Sequence, residues 1–470
     1  MTLRRETDPD RAREPIFSLP VGAMSLVYAP LHGFATLVRN DAARKLQAAL
    51  RGDGVPSGTA LRAVAKRLLG PATASPVAKS GSLNEPLFLG IVPTRGCNMA
   101  CRYCNFAAPR GAGRSMDLDL ARAAIDAYFT LLQEGEREEG QIHFFGGEPF
   151  HAARVVEFVV TYAQYRAAAL GIDLHFEVST NGVLGTARAE WVADHFGTVV
   201  LSLDGLSDIQ DGQRPLAGGG PSFDTVRRTA KILSDGAVEL VVRSCVTAGN
   251  VERLSEWATW ICGELRPSAV CLESLTISSA SVAAGLLLPD PYRFAEQFGS
   301  AARILGKLGI DTVQSMTDLS ACRISACPVG RDALIVSPDG MVDACYLLES
   351  EWLEYGLDLR LGRVDVAAKR LEIDEERLER VRRLPAREKS LCANCFCRYH
   401  CAGGCHVHHE TSRPPAAYDD MCIATRLITA DKLLRQLQVE DVGAGILADP
   451  VAASALARQA DDHLLARELA

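Results

Sequence analysis

The period of hydrophobic and polar positions changes several times along the 470-residue chain. Ser25-Leu-Val-Tyr-Ala-Pro and Gly33-Phe-Ala-Thr-Leu-Val are short, β-rich runs on either side of Pro30–Gly33, which predicts a strand pair with a turn. Asn40 stands where a helix cap is expected, ahead of Ala42–Leu50, and Gly52-Asp53-Gly54 ends that helix. A further helix is expected over about Leu61–Leu69. Gly70–Pro86, rich in Gly, Pro, Ser and Ala, reads as a linker.

From 87 to about 310 two periods alternate. Leu87–Val92, Ile142–Phe145, Leu174–Val178, Thr198–Leu203, Val238–Val246 and Ala269–Leu275 read as strands. Leu118–Leu132, Ala152–Ala169, Val226–Leu233, Val251–Cys262 and Tyr292–Leu308 read as helices. Six strands in a βα series predict an α/β fold with a parallel sheet, flat or curled into a partial barrel. Functional groups are then expected at the carboxyl ends of the strands. From about 315 to 425 regular structure is expected to be sparse, with a helix at Thr425–Leu437 and a partly helical tail beyond. The chain divides into a polar tail (1–16), a small α+β unit (17–70), a linker (71–86), the α/β barrel (87–310), a cysteine-rich segment (311–425) and a helical tail (426–470).

Composition adds bounds. The chain is longer than one core usually fills, and 48% hydrophobic with 23% charged residues is a globular balance. A net charge of -8 disfavours nucleic acid as a partner. No apolar run approaches the roughly 18 residues needed to span a membrane, and the N-terminus lacks an apolar signal core. A cytoplasmic protein that binds neither nucleic acid nor membrane is expected.

The fifteen cysteines change the picture, because they are clustered. In a reducing compartment such clusters point to metal rather than disulfides. Cys97-x-x-x-Cys101-x-x-Cys104 follows the first barrel strand, and Gly146-Gly147-Glu148-Pro149 follows the second. Three thiolates on one loop can hold three irons of a four-iron cluster and leave the fourth iron open. A zinc knuckle lacking a ligand is the plain alternative. The two glycines would let backbone approach a ligand closely, and Glu148 could orient a cationic amine.

On these motifs residues 87–275 resemble the radical S-adenosylmethionine (SAM) superfamily. The resemblance implies a partial (β/α)6 barrel in which SAM chelates the open iron and yields a 5′-deoxyadenosyl radical that abstracts a substrate hydrogen. It places Tyr103 by the adenine, and Gly146, Gly147 and Glu148 at the SAM amine. Ser179, in Ser179-Thr180-Asn181-Gly182, closes strand three. Ser202, in Ser202-Leu203-Asp204-Gly205, and Arg214 contact SAM, and Leu275 flanks the adenine. The plain alternatives are that Asn181-Gly182 and Asp204-Gly205 are ordinary turns and that Arg214 pairs with Asp208 or Asp211.

Cys327-x12-Gly340-x4-Cys345, Cys392-x2-Cys395-x5-Cys401-x3-Cys405 and Cys422 resemble the SPASM extension of peptide-modifying radical SAM enzymes, and Cys322 supplies an eighth thiol. The resemblance implies two auxiliary clusters, one on Cys322, Cys327, Cys345 and Cys405, the other on Cys392, Cys395, Cys401 and Cys422. With the SAM cluster that makes three [4Fe-4S] clusters, fed by an external one-electron reductant of flavodoxin or ferredoxin type. Structural zinc is the alternative. Cys397 falls outside the spacing. Cys245, Cys262 and Cys271 sit in apolar barrel segments and read as inert core thiols. His400, His406, His408 and His409 read as solvated or as supporting groups, since the cysteines complete the ligand sets.

Sulfatase maturases place an Asp immediately after the ligand matching Cys345. Tyr346 stands there, which disfavours that activity and makes Tyr346 a packing residue. Glu273, Asp343 and Glu349 are base candidates by position. The 25–69 unit resembles the PqqD-like winged-helix domain that binds leader peptides, which it would do by strand addition; a structural cap on the barrel is the alternative. Together these features point to an enzyme that cross-links a ribosomally made precursor peptide bearing a leader. A peptide epimerase, a formylglycine-forming sulfatase maturase, a small-molecule SPASM dehydrogenase and a zinc-stabilised binding scaffold are the competing classes.

Overall fold

The computed structural model describes residues 15–459 apart from 55, 57, 77, 82, 84, 107–112, 385–389 and 410–417. The polar tail falls almost wholly outside these residues, as does the helical tail beyond 459.

A small antiparallel sheet opens the chain: β1 (Phe17–Val21), β2 (Met24–Ala29) and β3 (Phe34–Arg39), paired in that order. The pattern of the sequence shows β2 and β3 but hides β1, whose Pro20 argues against a strand; at a sheet edge proline is tolerated. Helices Asn40–Arg51 and Thr59–Leu68 follow. Asn40 is not the cap. It is the first helical residue, and its side chain braces the preceding turn, accepting from the Ser25 hydroxyl (2.7 Å) and donating to the Gly22 carbonyl (3.2 Å). The unit is fused to the rest of the molecule: Phe17, Leu19, Leu26 and Tyr28 belong to the main core, while Val27, Leu46 and Leu50 form a small core of their own.

The larger sheet has eleven strands in the order β10-β9-β8-β7-β6-β5-β4-β11-β12-β13-β14. Strands β4 (Phe88–Ile91), β5 (Glu139–Phe144), β6 (Asp173–Thr180), β7 (Thr198–Ser202), β8 (Glu239–Val246), β9 (Ala269–Ser274) and β10 (Asp311–Val313) are parallel. They form the parallel α/β arrangement expected from the βα series. Regular structure in 315–425 is not sparse. β11 (Ala333–Val336) pairs in parallel with β4, and β12 (Met341–Asp343), β13 (Arg360–Asp365) and β14 (Arg370–Ile373) continue antiparallel. A four-residue apolar run is too short to declare itself a strand, and its partner lies far back in the chain. β11 is anchored by a buried two-point ion pair from Arg382 to Asp332, Nε–Oδ1 2.8 Å and Nη2–Oδ2 2.6 Å.

Burial alternates cleanly along β5 and β8. Along β8, Leu240, Val242, Ser244 and Val246 are buried against the helices, while Glu239, Val241, Arg243 and Cys245 take the inner face. The register stacks inner residues in layers. One layer runs Glu239–Thr198–Glu177–His143–Gly90–Ile335 across six strands, and a higher one runs Ser202–Arg243–Cys271. Cys245 and Cys271 therefore line the barrel interior rather than its apolar outer core. Among the described residues no helix is long and apolar enough to cross a membrane.

Candidate active site at the carboxyl ends of the parallel strands

The loop after β4 carries Cys97, Cys101 and Cys104. Cys97 Sγ accepts from the Met99 amide (3.4 Å) and from Asn181 Nδ2 (3.5 Å), and Cys104 Sγ accepts from the Phe106 amide (3.5 Å). Burial pushes the Cys101 thiol up to about 12, Arg214 pulls it down, and Cys104 and Cys97 push it further up. Three sulfurs that each raise a neighbour's proton affinity, with amides already aimed at two of them, suit a cation.

Gly146 and Gly147 also have a packing task that the sequence does not suggest. A Cβ on Gly147 would collide with the carbonyls of Gly96 and Arg95. The Gly147 amide donates to Thr94 O (3.0 Å) and the Glu148 amide to Gly96 O (2.9 Å). The glycines let the second loop lie directly on the cysteine loop. Glu148 is fully buried. Its Oε1 accepts from the Phe150 amide (3.1 Å) and the Thr180 hydroxyl (2.9 Å), and its Oε2 from the Asn181 amide (2.8 Å). A carboxylate offers about four acceptor positions, so one remains for an amine. Burial raises its proton affinity, and those hydrogen bonds and Arg214 oppose the rise.

Tyr103, Asp204 and Arg214 meet. The Tyr103 hydroxyl donates to Asp204 Oδ2 (2.6 Å) and accepts from Arg214 Nη1 (2.6 Å), with Arg214 4.0 Å from Asp204. Gln213 also donates to Asp204 (2.9 Å). Arg214 does not pair with Asp208, which binds Arg253, nor with Asp211, which accepts the Ser222 and Phe223 amides. Its Nε is buried with no hydrogen-bond partner among the described residues. Ser179 and Ser202 are half-buried on the inner faces of β6 and β7, and buried Leu275 directly follows β9, its amide donating to Val246 O (2.8 Å). The orphaned Nε, the open position on Glu148 and the three sulfurs fit a cluster and SAM bound across these loops.

The base candidates separate. Glu273 accepts from the Ser315 amide (2.8 Å), the Ser315 hydroxyl and the Cys271 thiol (3.4 Å). Burial pushes Asp343 up to about 7, against the pull of Arg95, and its Oδ1 has no hydrogen-bond partner among the described residues. Glu349 pairs with Arg360 (3.1 Å) on a largely solvated helix turn. Tyr346, read as packing from sequence, enters the barrel over Gly90: a Cβ there would lie 2.6 Å from its oxygen. Its ring lies near Phe88 and Phe145, and its hydroxyl is buried without a hydrogen-bond partner among the described residues.

In the cysteine-rich region, Cys392, Cys395, Cys397, Cys401 and Cys422 line one cavity with Tyr418 and Arg426. Burial raises Cys422, and Asp419, Cys401, Cys395 and Cys392 raise it further. Burial also pushes Cys345 up to about 12, with Cys327 and Cys405 adding to the rise. Cys322 faces elsewhere, donating to Pro30 O of the N-terminal unit (3.3 Å). The histidines are supporting groups rather than solvated ones. His409 bridges Asp419 (2.8 Å) and Cys422 (3.7 Å), His408 bonds Cys405 and faces Glu351, His406 meets Ser325, and His400 contacts Tyr28. Sequence reasoning quoted Asn181 and Asp204 inside their motifs without giving either a role, and it missed Gln213, Arg95, Arg243 and Arg426; of these four, only Arg243 carries a signal, in the strand alternation around it.

The chain matches known proteins in a consistent way. Residues 91–253 match the radical SAM superfamily. Over 334 residues, 66% of this chain and 77% of its relative, it is 27% identical to the serine-type anaerobic sulfatase-maturating enzyme of Klebsiella aerogenes. It is 30% identical over 183 residues to mycofactocin maturase MftC of Mycolicibacterium smegmatis, 37% of this chain and 42% of that protein. The fold is similar to that of anSMEcpe with bound AdoMet and a Cp18Cys peptide, with a TM-score of 0.58 at 17% identity, covering 77% of this chain and 100% of that one. The cysteine loop, the glycine-borne turn against it and most of the parallel strands beneath them lie within residues 91–253, the part of the chain that matches the radical SAM superfamily.

Proposed function

We propose that the chain oxidatively modifies a ribosomally made precursor peptide, forming a carbon–carbon, thioether or ether cross-link. The observation that carries this is the joining of the radical SAM barrel, through β11 on β4, to a region whose cysteines gather around one cavity. Cys97, Cys101 and Cys104 would hold the cluster with the open iron. Glu148 would take the SAM amine, with Tyr103, Gly146, Gly147, Ser179, Ser202, Arg214 and Leu275 around the rest. When bound, cluster and SAM supply a 5′-deoxyadenosyl radical for hydrogen abstraction.

The chain's own residues do the remaining work. Tyr103, Asp204 and Arg214 fix the loop that carries the ligands, and the apolar walls of Phe88 and Phe145 keep water from the barrel interior. Cys392, Cys395, Cys401 and Cys422 would bind one auxiliary four-iron cluster, and Cys327, Cys345, Cys405 and Cys322 another. Taking up the last as a ligand requires Cys322 to turn from Pro30 O. Closed clusters suit electron removal, which favours net two-electron oxidation with an external one-electron reductant priming the barrel cluster.

The N-terminal unit would bind the leader. β3 is an edge strand of that sheet, paired to β2 among the described residues, and an edge strand is where strand addition would occur. Because Phe17, Leu19 and Leu26 lie in the main core, removing the unit would unfold the enzyme, so truncation does not test this role. The test is co-expression with a short precursor encoded beside the gene. Loss of two hydrogens from the peptide supports a cross-link; an unchanged mass in light water with deuterium gained in heavy water overturns it for epimerisation. Sulfatase maturation stands as the second reading, favoured by the similarity to the Klebsiella aerogenes enzyme. Conversion of a sulfatase-derived Ser or Cys peptide to formylglycine would establish it.

A further inference from the structure

A fully buried cation outside the barrel touches a cysteine. Arg426, on helix Asp420–Gln436, is 1% exposed. Its Nη1 donates to Cys395 Sγ (3.2 Å). Its Nε donates to Ala457 O (2.9 Å), and its Nη2 to Leu456 O (3.0 Å) and Gln459 O (3.1 Å). Those carbonyls belong to the last turn of helix Pro450–Arg458 and the residue after it, where a helix leaves its acceptors unused. The guanidinium carbon lies 4.9 Å from the Phe396 ring centre and 4.3 Å from that of Tyr418. These partners hold the group in one place against the sulfur.

Cys395 and Arg426 line the cavity that Cys392, Cys397, Cys401 and Cys422 also line. That donor set fits an iron–sulfur cluster. A guanidinium cannot be deprotonated in a protein, and here rings and helix backbone stand where water would screen it. Its influence reaches past Cys395: burial and Cys395 raise the proton affinity of the Cys397 thiol, and Arg426 opposes the rise. The other auxiliary set differs. Among the described residues no arginine or lysine hydrogen-bonds to Cys322, Cys327, Cys345 or Cys405. Cys405 accepts from His408, whose ring faces Glu351 (3.8 Å), so a charge there is offset.

We propose that Arg426 is a positioning residue that sets a redox potential: through Cys395 Sγ it stabilises the reduced form of the cluster on Cys392, Cys395, Cys401 and Cys422, and makes that cluster the more readily reduced of the auxiliary pair. A cluster that gains an electron gains negative charge, and a fixed cation donating to a ligand sulfur favours that form. The inference rests on the cysteine-rich region holding two clusters, and not on the identity of the substrate.

The test is a redox titration, followed by electron paramagnetic resonance, of the full-length, anaerobically reconstituted enzyme, with Arg426→Gln and Arg426→Lys beside the wild type. Arg426→Gln should disfavour reduction of that one cluster by about tenfold to a hundredfold, a fall in midpoint potential of about 60–120 mV for one electron. The other clusters should keep their potentials, and Arg426→Lys, which keeps the charge, should recover part of the fall. A merely structural role predicts the opposite sign: a loosened cavity admits water, and water favours the more highly charged reduced cluster. A folded, iron-loaded Arg426→Gln whose potentials match the wild type, or rise, overturns the proposal. The wild type decides even if neither Arg426 variant folds. Its two auxiliary potentials are assigned with Cys395→Ala and Cys345→Ala, each of which removes one signal. The higher potential must vanish in Cys395→Ala; if it vanishes in Cys345→Ala instead, the proposal falls. Zinc in place of iron in the cysteine-rich region strikes the auxiliary-cluster reading itself and takes the inference with it. Iron with unshifted potentials leaves that reading standing and removes only the role of Arg426.

Discussion

The two cysteine sets differ in how they are brought together. Cys97, Cys101 and Cys104 need only one short loop, held by β4 beneath it and by the Gly146–Gly147 turn lying on it. Cys322, Cys327, Cys345, Cys392–Cys405 and Cys422 come from segments that meet only once the chain has packed, the last from the first turn of helix Asp420–Gln436. The local set is incomplete, and Glu148 and Arg214 beside it each keep an unused polar position. The distributed set is walled in by Arg426, which donates to Cys395 Sγ (3.2 Å), and by His409 beside Cys422. A loop-borne site suits exchange of a cofactor every turnover; a packed site suits a cluster that stays.

The largest effect that could break this contrast is on SAM cleavage. Cys101→Ala should reduce formation of 5′-deoxyadenosine to background and remove about four of about twelve irons. Cys395→Ala should lower the iron by a similar amount yet leave 5′-deoxyadenosine formation within a few-fold of wild type, with the product lost. Chromatography of the nucleoside beside iron analysis decides it, and silence in both variants would show the two sets to be one functional unit. Next comes the joint between them. Arg382→Ala leaves Asp332 buried and unpaired, at a cost of about 3–5 kcal/mol in urea unfolding. If β11 couples the sets, both lose iron together.

A smaller effect separates the barrel's own acid sensitivity from that of thiolates. Burial pulls His143 down to about 4, from an ordinary value near 6.5. Between those values the unfolded chain takes up a proton that the native barrel refuses, so stability is lost as pH falls from about 6.5 to about 4 and is fully present above. The loss should approach about 3 kcal/mol, and His143→Asn should flatten that part of a stability–pH curve. The smallest effect concerns the barrel wall. Gly90→Ala should cost about 1–3 kcal/mol by overpacking against Tyr346 and Ile335. Adding Tyr346→Phe should return part of it in thermal unfolding.

Much of the barrel was legible because local rules agree there: β-rich runs, amphipathic helices and motifs at strand ends point the same way. The cysteine loop was legible for the same reason, being a single continuous segment. What stayed hidden depends on distant partners. β11 is a strand because β4 offers an edge, and Asn40 serves Ser25 and Gly22 instead of its own helix. Cys245 and Cys271 looked like core because the apolar residues between them dominate the composition; only the one-in-two alternation with Arg243 shows that they face inward. Tyr346 could not be placed without knowing that Gly90 leaves it room.

The pairing of β11 with β4 has a consequence for the order in which the protein is made. Phe88 leaves the ribosome 245 residues before Ala333, its partner across the sheet. At roughly 5–20 residues per second one edge of the first barrel strand waits about 12–50 s for its neighbour, with the cysteine loop already formed above it. During that interval the nascent barrel carries an open edge of the kind that recruits stray strands. Iron delivered early, or a chaperone that shields this edge, would therefore act during the interval in which the edge is open.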